Sequence, residues 1–268
     1  MLKGYQSIGL PLMWKKLRIV ILLFILATVA LGTWRSQTQA RDWRNTLHVA
    51  IFPINGDGSE AAAARIAGLK DSNFKDIEDF LSEQAAEYGN QTAMPVRVTL
   101  QPELKTPPPA APPAAHSTLD VIVWSLKLRW WAWRQPSGTP RAHTRAFVVY
   151  WDSAATGGRV PNSHGLAKGL VAVSNVHAAT NMQRTNNVVI AHEILHTLGA
   201  SDKYDMGSLM PNYPEGFAEP DKEPRYPQRW CELMAGRIPL SETELDMPSS
   251  LRLCTIGPLT AREIGLTK

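Results

Sequence analysis

Cysteine is scarce in this chain, whose 268 residues include only Cys231 and Cys254. A metal site built on thiolates needs more cysteines or a nearby histidine pair, so these two cysteines by themselves do not indicate one. In an oxidising compartment they could form a disulfide bond, which would contribute ~3 kcal/mol by closing a loop of this size. Two buried free thiols are the alternative, and the sequence leaves both open.

Internal repeats and a uniform charge bias are absent as well. The lack of repeats excludes a repeat architecture, and an apolar content of 44% excludes wholesale disorder. The first 41 residues carry six of the 28 basic residues and no acidic residue, which leaves 22 basic against 24 acidic residues in the rest of the chain. The net charge of +4 therefore does not describe a basic domain, and no nucleic-acid partner is predicted.

Only one uncharged apolar run approaches membrane-spanning length. Residues 19–34 (IVILLFILATVALGTW) contain no charge and follow Lys15, Lys16 and Arg18. As a helix this run spans roughly 24 Å, which is short of a hydrocarbon core of ~30 Å. Most of this gap would close if the side chain of Arg18 reached the headgroups and Trp34 lay at the interface.

The basic flank determines the predicted topology. By the positive-inside rule, residues 1–18 form a cytoplasmic basic tail, residues 19–34 a transmembrane signal anchor, and residues 41–268 an exported domain. The alternative is a cleavable signal peptide, because residues 38–40 (TQA) offer small residues where a signal peptidase would cut. The membrane is thus an expected partner through a retained N-terminal helix, whereas the sequence does not indicate an oligomeric state.

Beyond the apolar run, the pattern predicts both strands and helices. Residues 47–54, 95–100, 147–151 and 169–176 are predicted strands, and residues 61–69 and 73–88 are predicted helices. The proline-rich residues 105–116 predict a surface loop. The segment 119–133 contains four tryptophans, for which helical core packing is the favoured interpretation and a carbohydrate or membrane-surface platform is the alternative.

The most informative stretch is an H-E-x-x-H pattern at residues 192–196. On a helix, positions i and i+4 lie about 40° apart around the axis, so the imidazoles of His192 and His196 project from one face and can bind one cation. Glu193 lies beside them, where a general base for a water molecule at the metal is required. Two satisfied core histidines are the alternative.

Two later residues extend the pattern. Gly199 follows His192 by seven positions, where a sharp turn out of the helix favours glycine, and Asp202 follows it by ten. The whole string, HEILHTLGASD, resembles the metzincin zinc peptidases, in which the chain turns at the glycine and brings a third ligand to the metal. That ligand is usually histidine, but the snapalysin-like branch has aspartate there and shares the Asp-x-Tyr of residues 202–204. The resemblance implies Zn²⁺ held by His192, His196 and Asp202.

The resemblance implies further features. Metzincins place a methionine on a turn beneath the metal, for which Met234 and Met210 are the candidates, with Met234 preferred. Tyr204 is the candidate donor to an oxyanion, with Tyr213 as an alternative. Three upstream imidazoles are weaker candidates for substrate contact: His143, His164 and His177. The expected fold is α+β, a zincin domain with a twisted mixed sheet, a strand from Gly169 lining the cleft, an active-site helix and an irregular C-terminal subdomain.

The function that these features imply is a zinc-dependent endopeptidase that hydrolyses peptide bonds of exported proteins or peptides. Glu193 and Tyr204 are its expected catalytic residues. A membrane-anchored, non-catalytic zinc-binding or scaffold protein of the cell envelope is the alternative, although a structural zinc has no use for an adjacent base. A third interpretation is a membrane-interaction protein that works through its tryptophan-rich segment.

Overall fold

Helices and strands are interspersed along the chain. The computed structural model describes residues 10–112, 117–154, 157–167 and 169–267. The predicted tail residues 1–9 and the loop residues 113–116 lie outside this description. The helices are α1 (Leu10–Ala40), α2 (Glu60–Ala67), α3 (Lys75–Glu87), α4 (Thr118–Arg134), α5 (Gln183–Leu198) and α6 (Pro258–Glu263). The main strands are β1 (Leu47–Asn55), β2 (Val96–Leu100), β3 (Thr144–Trp151), β4 (His164–Leu166) and β5 (Val171–His177).

The main strands form one mixed sheet in the order β2-β1-β3-β5-β4. The first four are mutually parallel, and β4 pairs antiparallel with β5 at the edge. Phe147 is the register partner of both Phe52 and Val173, so the central strands are in register across the sheet. Such strands are apolar along their whole length because helices cover both faces. The architecture is therefore α+β with a mixed sheet, as predicted.

Each face of the sheet has its own core. On one face, α2, α3 and α5 pack through side chains such as Ile66, Leu81 and Ile194. On the other face, α4 packs Leu128 and Trp131 against Phe147 and its neighbours, and the rings of Trp131 and Phe147 are 4.6 Å apart. The sheet is thus the middle layer of the domain, and α5 and α4 lie on opposite sides of it.

The N-terminal helix is longer than the predicted 19–34 span. Residues Trp14–Ala40 form the one helix among the described residues that is long and apolar enough to cross a membrane. Its 27 residues span ~40 Å, more than a hydrocarbon core of ~30 Å, and this length includes the charged residues Lys15, Lys16, Arg18 and Arg35 on either side of the uncharged run. The helix continues past residue 34 because the polar residues that follow contain no helix breaker, and the membrane span of residues 19–34 stays a prediction. This helix fits a single-pass membrane protein.

The C-terminal end of α1 is attached to the domain rather than free. Ala40 and Trp43 are buried, and the indole nitrogen of Trp43 donates to the carbonyl of Ile264 at 2.9 Å. The amide of Gln37 donates to the carbonyl of Ala167 at 3.1 Å. The last turn of α1 therefore has a defined position against the rest of the chain.

One expectation about an individual element was wrong, and another holds only in part. The strand at the cleft is β4, not the strand predicted from residue 169, because β5 is paired on both sides and lies inside the sheet. Core packing describes only one side of α4: Trp131 is buried, whereas Trp130 and Trp133 are 59% and 76% exposed. A three-residue strand is too short for a periodic signal, and tryptophan content alone does not say which side of a helix faces the core.

The C-terminal region is irregular, in agreement with the prediction. It contains only two-residue strands: β6 (Cys231–Glu232) pairs with β9 (Cys254–Thr255), and β7 (Ile238–Pro239) pairs with β8 (Leu245–Asp246). Cys231 and Cys254 are register partners, and both are buried free thiols. The structure thus has the two thiols of the alternative interpretation, and the disulfide bond stays a prediction for an oxidising compartment.

Gly165 of β4 allows the edge strand to lie directly on α5. A Cβ atom at Gly165 would meet the Cβ of His196 and would lie 2.6 Å from the carbonyl oxygen of Glu193. We expect Gly165→Ala to lower the free energy of unfolding by about 1–3 kcal/mol through overpacking. Chemical denaturation of the purified chain measures this. Gly207→Ala is the matched control, since its Cβ would meet only the Asp205 carboxylate at 3.4 Å; equal stability of the two variants would contradict the close approach.

Candidate metal centre

Helix α5 carries the motif and ends where the sequence predicts. Gly199 adopts the left-handed conformation with φ 103°, and its N–H donates to the carbonyl of His196 at 3.0 Å. The guanidinium of Arg41 occupies the space that a side chain at Gly199 would need. Glycine is therefore required at this turn for two reasons, its backbone conformation and the contact with the segment that follows α1.

The turn at Gly199 brings Asp202 back to the two histidines. The Nε2 atoms of His192 and His196 are 3.0 Å apart, and the Oδ1 atom of Asp202 lies 3.2 Å from each of them. These three atoms form a nearly equilateral triangle on the floor of a cleft. The cluster could hold one metal ion.

Backbone carbonyls orient both imidazoles. The Nδ1 atom of His192 lies 2.9 Å from the carbonyl oxygen of Leu233, and that of His196 lies 2.8 Å from the carbonyl oxygen of Ala200. A carbonyl can only accept a hydrogen bond, so each Nδ1 carries the hydrogen and each neutral ring leaves a lone pair at Nε2. Such a second contact is the usual way in which a metal-binding histidine is held.

The charges of the cluster favour a cation between its members. Burial acts to lower the pKa of His192, but its contact with Asp202 and the charge of Glu193 raise that pKa to about 9. Burial acts to raise the pKa of Asp202, but the two histidines hold it well below its usual range. Protons and a metal ion compete for the same lone pairs, so a cluster that attracts one also attracts the other.

Glu193 is a buried carboxyl group beside the three ligand atoms. It is 5% exposed, and its Oε2 atom has no hydrogen-bond partner among the described residues. Burial raises its pKa, against the opposing effect of His192 and His196. A carboxyl group without a structural partner that faces a cleft is the arrangement expected of a general base.

The cluster opens into a cleft of about 680 Å³. Helix α5 forms its floor, the edge strand β4 one rim, and residues of α4, including Trp124, one wall. The indole ring of Trp124 packs edge-on against His164 of β4, with ring centroids 5.0 Å apart. The loops after Asp202 and around Ala235 close the remaining sides. A cleft of this size can admit an extended peptide or a ligand of similar bulk.

Of the two methionine candidates, Met234 lies next to the cluster. It is fully buried in a 3₁₀ turn (Leu233–Ala235), and this turn supplies the carbonyl that orients His192. The carbonyl of Met234 also accepts from the N–H of Lys203, directly after Asp202. Met210 is only partly buried, and its carbonyl accepts from the N–H of Asp205 in a separate loop.

A buried acid holds the Met234 turn in place. The carboxylate of Glu232 accepts from the N–H of Ala235 at 3.0 Å, the N–H of Gly257 at 3.1 Å and the hydroxyl of Thr260 at 2.7 Å. Three donors compensate for the loss of water around this carboxylate. The carbonyl that orients His192 thus depends on contacts with the C-terminal helix.

The two candidate tyrosines differ in position. Tyr204 lines the cleft, and burial raises its pKa, with Asp202 and Glu193 acting in the same direction. Tyr213 is 50% exposed, lies outside the cleft lining, and donates its hydroxyl to the carbonyl of Pro220 at 3.4 Å. Only Tyr204 is therefore close enough to the cluster to act on a bound molecule.

Only one of the three upstream histidines lines the cleft. His164 lines the cleft, and burial lowers its pKa. His177 contacts Ser153 at 2.8 Å, and His143 stacks on His48; neither lines the cleft.

Sequence reasoning missed Arg237, which lines the cleft beside the Met234 turn. The sequence contains no pattern that relates Arg237 to the motif, since this residue lies more than 30 residues beyond it in an irregular segment.

A scan against protein-family models found no match, and a search of curated proteins found none either.

Asp202 is the one member of the cluster that lies outside α5, so its removal is the sharpest test of the cluster. We expect Asp202→Ala to bind a divalent ion far more weakly, because one of three ligands and its negative charge are lost. Asp202→His should restore binding, since imidazole suits the same ions. The measurement is metal content per chain after dialysis against a weak chelator.

Asp205→Ala is the matched control for Asp202→Ala. The Asp205 carboxylate is exposed and accepts from the N–H groups of Gly207 and Ser208 in its own turn. Its variant should retain the metal content of the parent chain. Full metal content in Asp202→Ala with loss in Asp205→Ala would show that the third ligand is misassigned.

Proposed function

We propose that the chain is a membrane-anchored, zinc-dependent endopeptidase. The observation that carries this proposal is the combination of three converging ligand atoms with a buried, unpartnered carboxyl group beside them. A structural metal site is closed by four protein ligands and has no use for an adjacent base. A site with three ligands, a neighbouring base and an open cleft is typical of hydrolytic metal enzymes.

The residues present fit zinc. Nitrogen and oxygen ligands lie roughly 2.0 to 2.2 Å from zinc, which places two ligands of a tetrahedral site about 3.3 Å apart or slightly more. The observed separations of 3.0 and 3.2 Å are within a few tenths of an ångström of that value. The neutral imidazoles of His192 and His196 would supply nitrogen, and Asp202 would supply oxygen. Bound zinc supplies Lewis acidity, which lowers the pKa of a water molecule and polarises a carbonyl group.

The protein residues would move the proton. Glu193, with its pKa raised by burial, would accept a proton from the attacking water and deliver it to the nitrogen of the leaving amine. The phenol of Tyr204, protonated because its pKa is raised, would donate a hydrogen bond to the oxygen that becomes negative as the carbonyl is attacked. Met234 would form the apolar floor of the ligand cluster beneath His192.

The topology that suits this function places the domain outside the cytoplasm. Lys15, Lys16 and Arg18 precede the apolar part of α1, and cationic residues of this kind stay in the cytoplasm. The cleft would then face an extracytoplasmic compartment, where peptide bonds of exported proteins or peptides are the available substrates.

The test of the chemistry is Glu193→Gln. We expect cleavage to fall by roughly 10² or more, because the amide keeps the shape of the side chain but cannot accept the proton. Zinc content per chain should not change. The measurement uses the full chain in detergent with a peptide library derived from an extract, in which new termini are counted by mass spectrometry.

Glu242→Gln is the control, since Glu242 is exposed and lies outside the cleft lining. It should cleave like the parent chain. Full activity in Glu193→Gln would exclude Glu193 as the base. A parent chain that binds zinc and cleaves nothing would instead favour the non-catalytic scaffold.

A further inference from the structure

Helix α4 is apolar on two opposite sides. Leu128, Trp131 and Ala132 are buried against the sheet. Six apolar side chains on its other side are between 40% and 76% exposed: Leu119, Ile122, Val123, Leu126, Trp130 and Trp133. We call these six residues the α4 stripe. At 100° per residue the six occupy an arc of about 100°, centred opposite Leu128, so they form one continuous surface along the helix.

Basic side chains border the α4 stripe on both edges. By the same helical geometry, Lys127 and Arg134 lie along one edge and Arg129 along the other. The guanidinium of Arg134 lies over the ring of Trp130, 4.9 Å from its centroid. An apolar stripe that contains tryptophan and is flanked by Lys and Arg is typical of helices that lie in the plane of a membrane interface. The basic edges also suit anionic headgroups.

One end of the α4 stripe lines the same cavity as helix α1. Trp133, at one end of the stripe, lines the same cavity of about 980 Å³ as Val29, Gly32 and Thr33 of α1. These residues lie near the end of α1 that is attached to the domain through Gln37 and Ala40. If α1 crosses a bilayer, Trp133 is therefore at the level where the helix leaves the hydrocarbon core, which is the depth that tryptophan prefers.

The cleft lies on another side of the same helix. Val121, Trp124 and Ser125 of α4 line the cleft together with His192, Glu193 and His196. An α-helix with its side chains is about 10 to 12 Å across. A bilayer that contacts the α4 stripe would therefore be separated from the metal cluster by the thickness of this helix and the width of the cleft.

We propose that the α4 stripe lies in the headgroup region of the bilayer that holds α1, and that the cleft accepts polypeptide segments just outside the same bilayer. The substrate class is then membrane-anchored polypeptides, cut near the point where they leave the membrane. This substrate assignment rests on the proposed endopeptidase function, whereas the position of the stripe does not. A bilayer is the partner because the stripe combines apolar area, interfacial tryptophan and basic edges with a cavity that it shares with α1.

The position of the α4 stripe can be measured without activity. Spin labels are attached to the single variants Leu126→Cys and Trp133→Cys of the full chain, reconstituted in vesicles of phosphatidylcholine and phosphatidylglycerol. The collision rate of each label with dissolved oxygen is compared with its collision rate with a water-soluble nickel complex. The ratio of the two rates reports the depth of the label in the bilayer. We expect both labels to lie at the membrane interface. Their ratio of oxygen to nickel collision rates should exceed that of a label in water.

Glu83→Cys is the matched control, since Glu83 is exposed on α3, on the other face of the sheet. Its label should behave as a label in water, and the parent chain should label weakly because Cys231 and Cys254 are buried. Equal behaviour of the labels at positions 83, 126 and 133 would overturn the proposed contact with the bilayer.

The substrate assignment needs a second comparison. One peptide sequence is offered free in solution and joined to a transmembrane anchor in the same vesicles. We expect kcat/KM to be about tenfold or more higher for the anchored form, because both partners are confined to one surface. Trp130→Ser combined with Trp133→Ser should reduce that ratio, and Trp230→Ser, at an exposed tryptophan outside both α4 and the cleft lining, should not.

The outcomes separate the two proposals. Cleavage of free and anchored peptide at the same rate would overturn the substrate assignment and leave the endopeptidase function intact. No cleavage of either form by the zinc-loaded chain would overturn both the function and the substrate assignment, and the label depths would still decide where the α4 stripe lies.

Discussion

The arrangement of the site depends on three atoms with lone pairs, the Nε2 atoms of His192 and His196 and the Oδ1 atom of Asp202. They are held 3.0 to 3.2 Å apart at the end of α5. Two nitrogens and a carboxylate oxygen repel one another at this distance unless a proton or metal ion lies among them. The fold supplies the restraints that keep them there. The carbonyls of Leu233 and Ala200 hold the two rings, and the turn at Gly199 brings back Asp202. The cluster is therefore organised by the backbone before any ion binds.

The restraints on the cluster extend to the C-terminal end of α1. Arg41 packs on Gly199 and approaches Gly265, and Trp43 donates to Ile264 near the end of α6. Lys203 is buried, and its ammonium group donates hydrogen bonds to the carbonyl of Ser201 and the carboxylate of Glu263. These contacts connect the loop around Asp202 to α6. The segment that leaves α1, the C-terminal helix and the ligand loop thus pack as one unit, so the orientation of the cleft relative to α1 is built into the domain.

The layered arrangement explains where the cleft forms. The sheet is the middle layer, α5 covers one face, and β4 continues the sheet to the edge of α5, where Gly165 allows close contact. Helix α4 covers the other face and reaches the same edge, where Trp124 meets His164. The cleft forms at the point where the two layers meet at the sheet edge, and its floor carries Glu193 with no competing partner among the described residues.

The sequence by itself determined the features that depend on neighbours a few residues apart. The spacing of His192, Glu193 and His196 on one helix, the turn at Gly199 and the central strands follow from helical period, glycine conformation and strand composition. The return of Asp202 was implied by the resemblance of the motif, not by these local rules. Only the tertiary structure decided the rest. It placed Met234 rather than Met210 beside the cluster, brought Arg237 into the cleft, and turned Trp130 and Trp133 outward. These positions depend on contacts between residues far apart in the chain, and local periodicity carries no information about which distant partner a side chain meets.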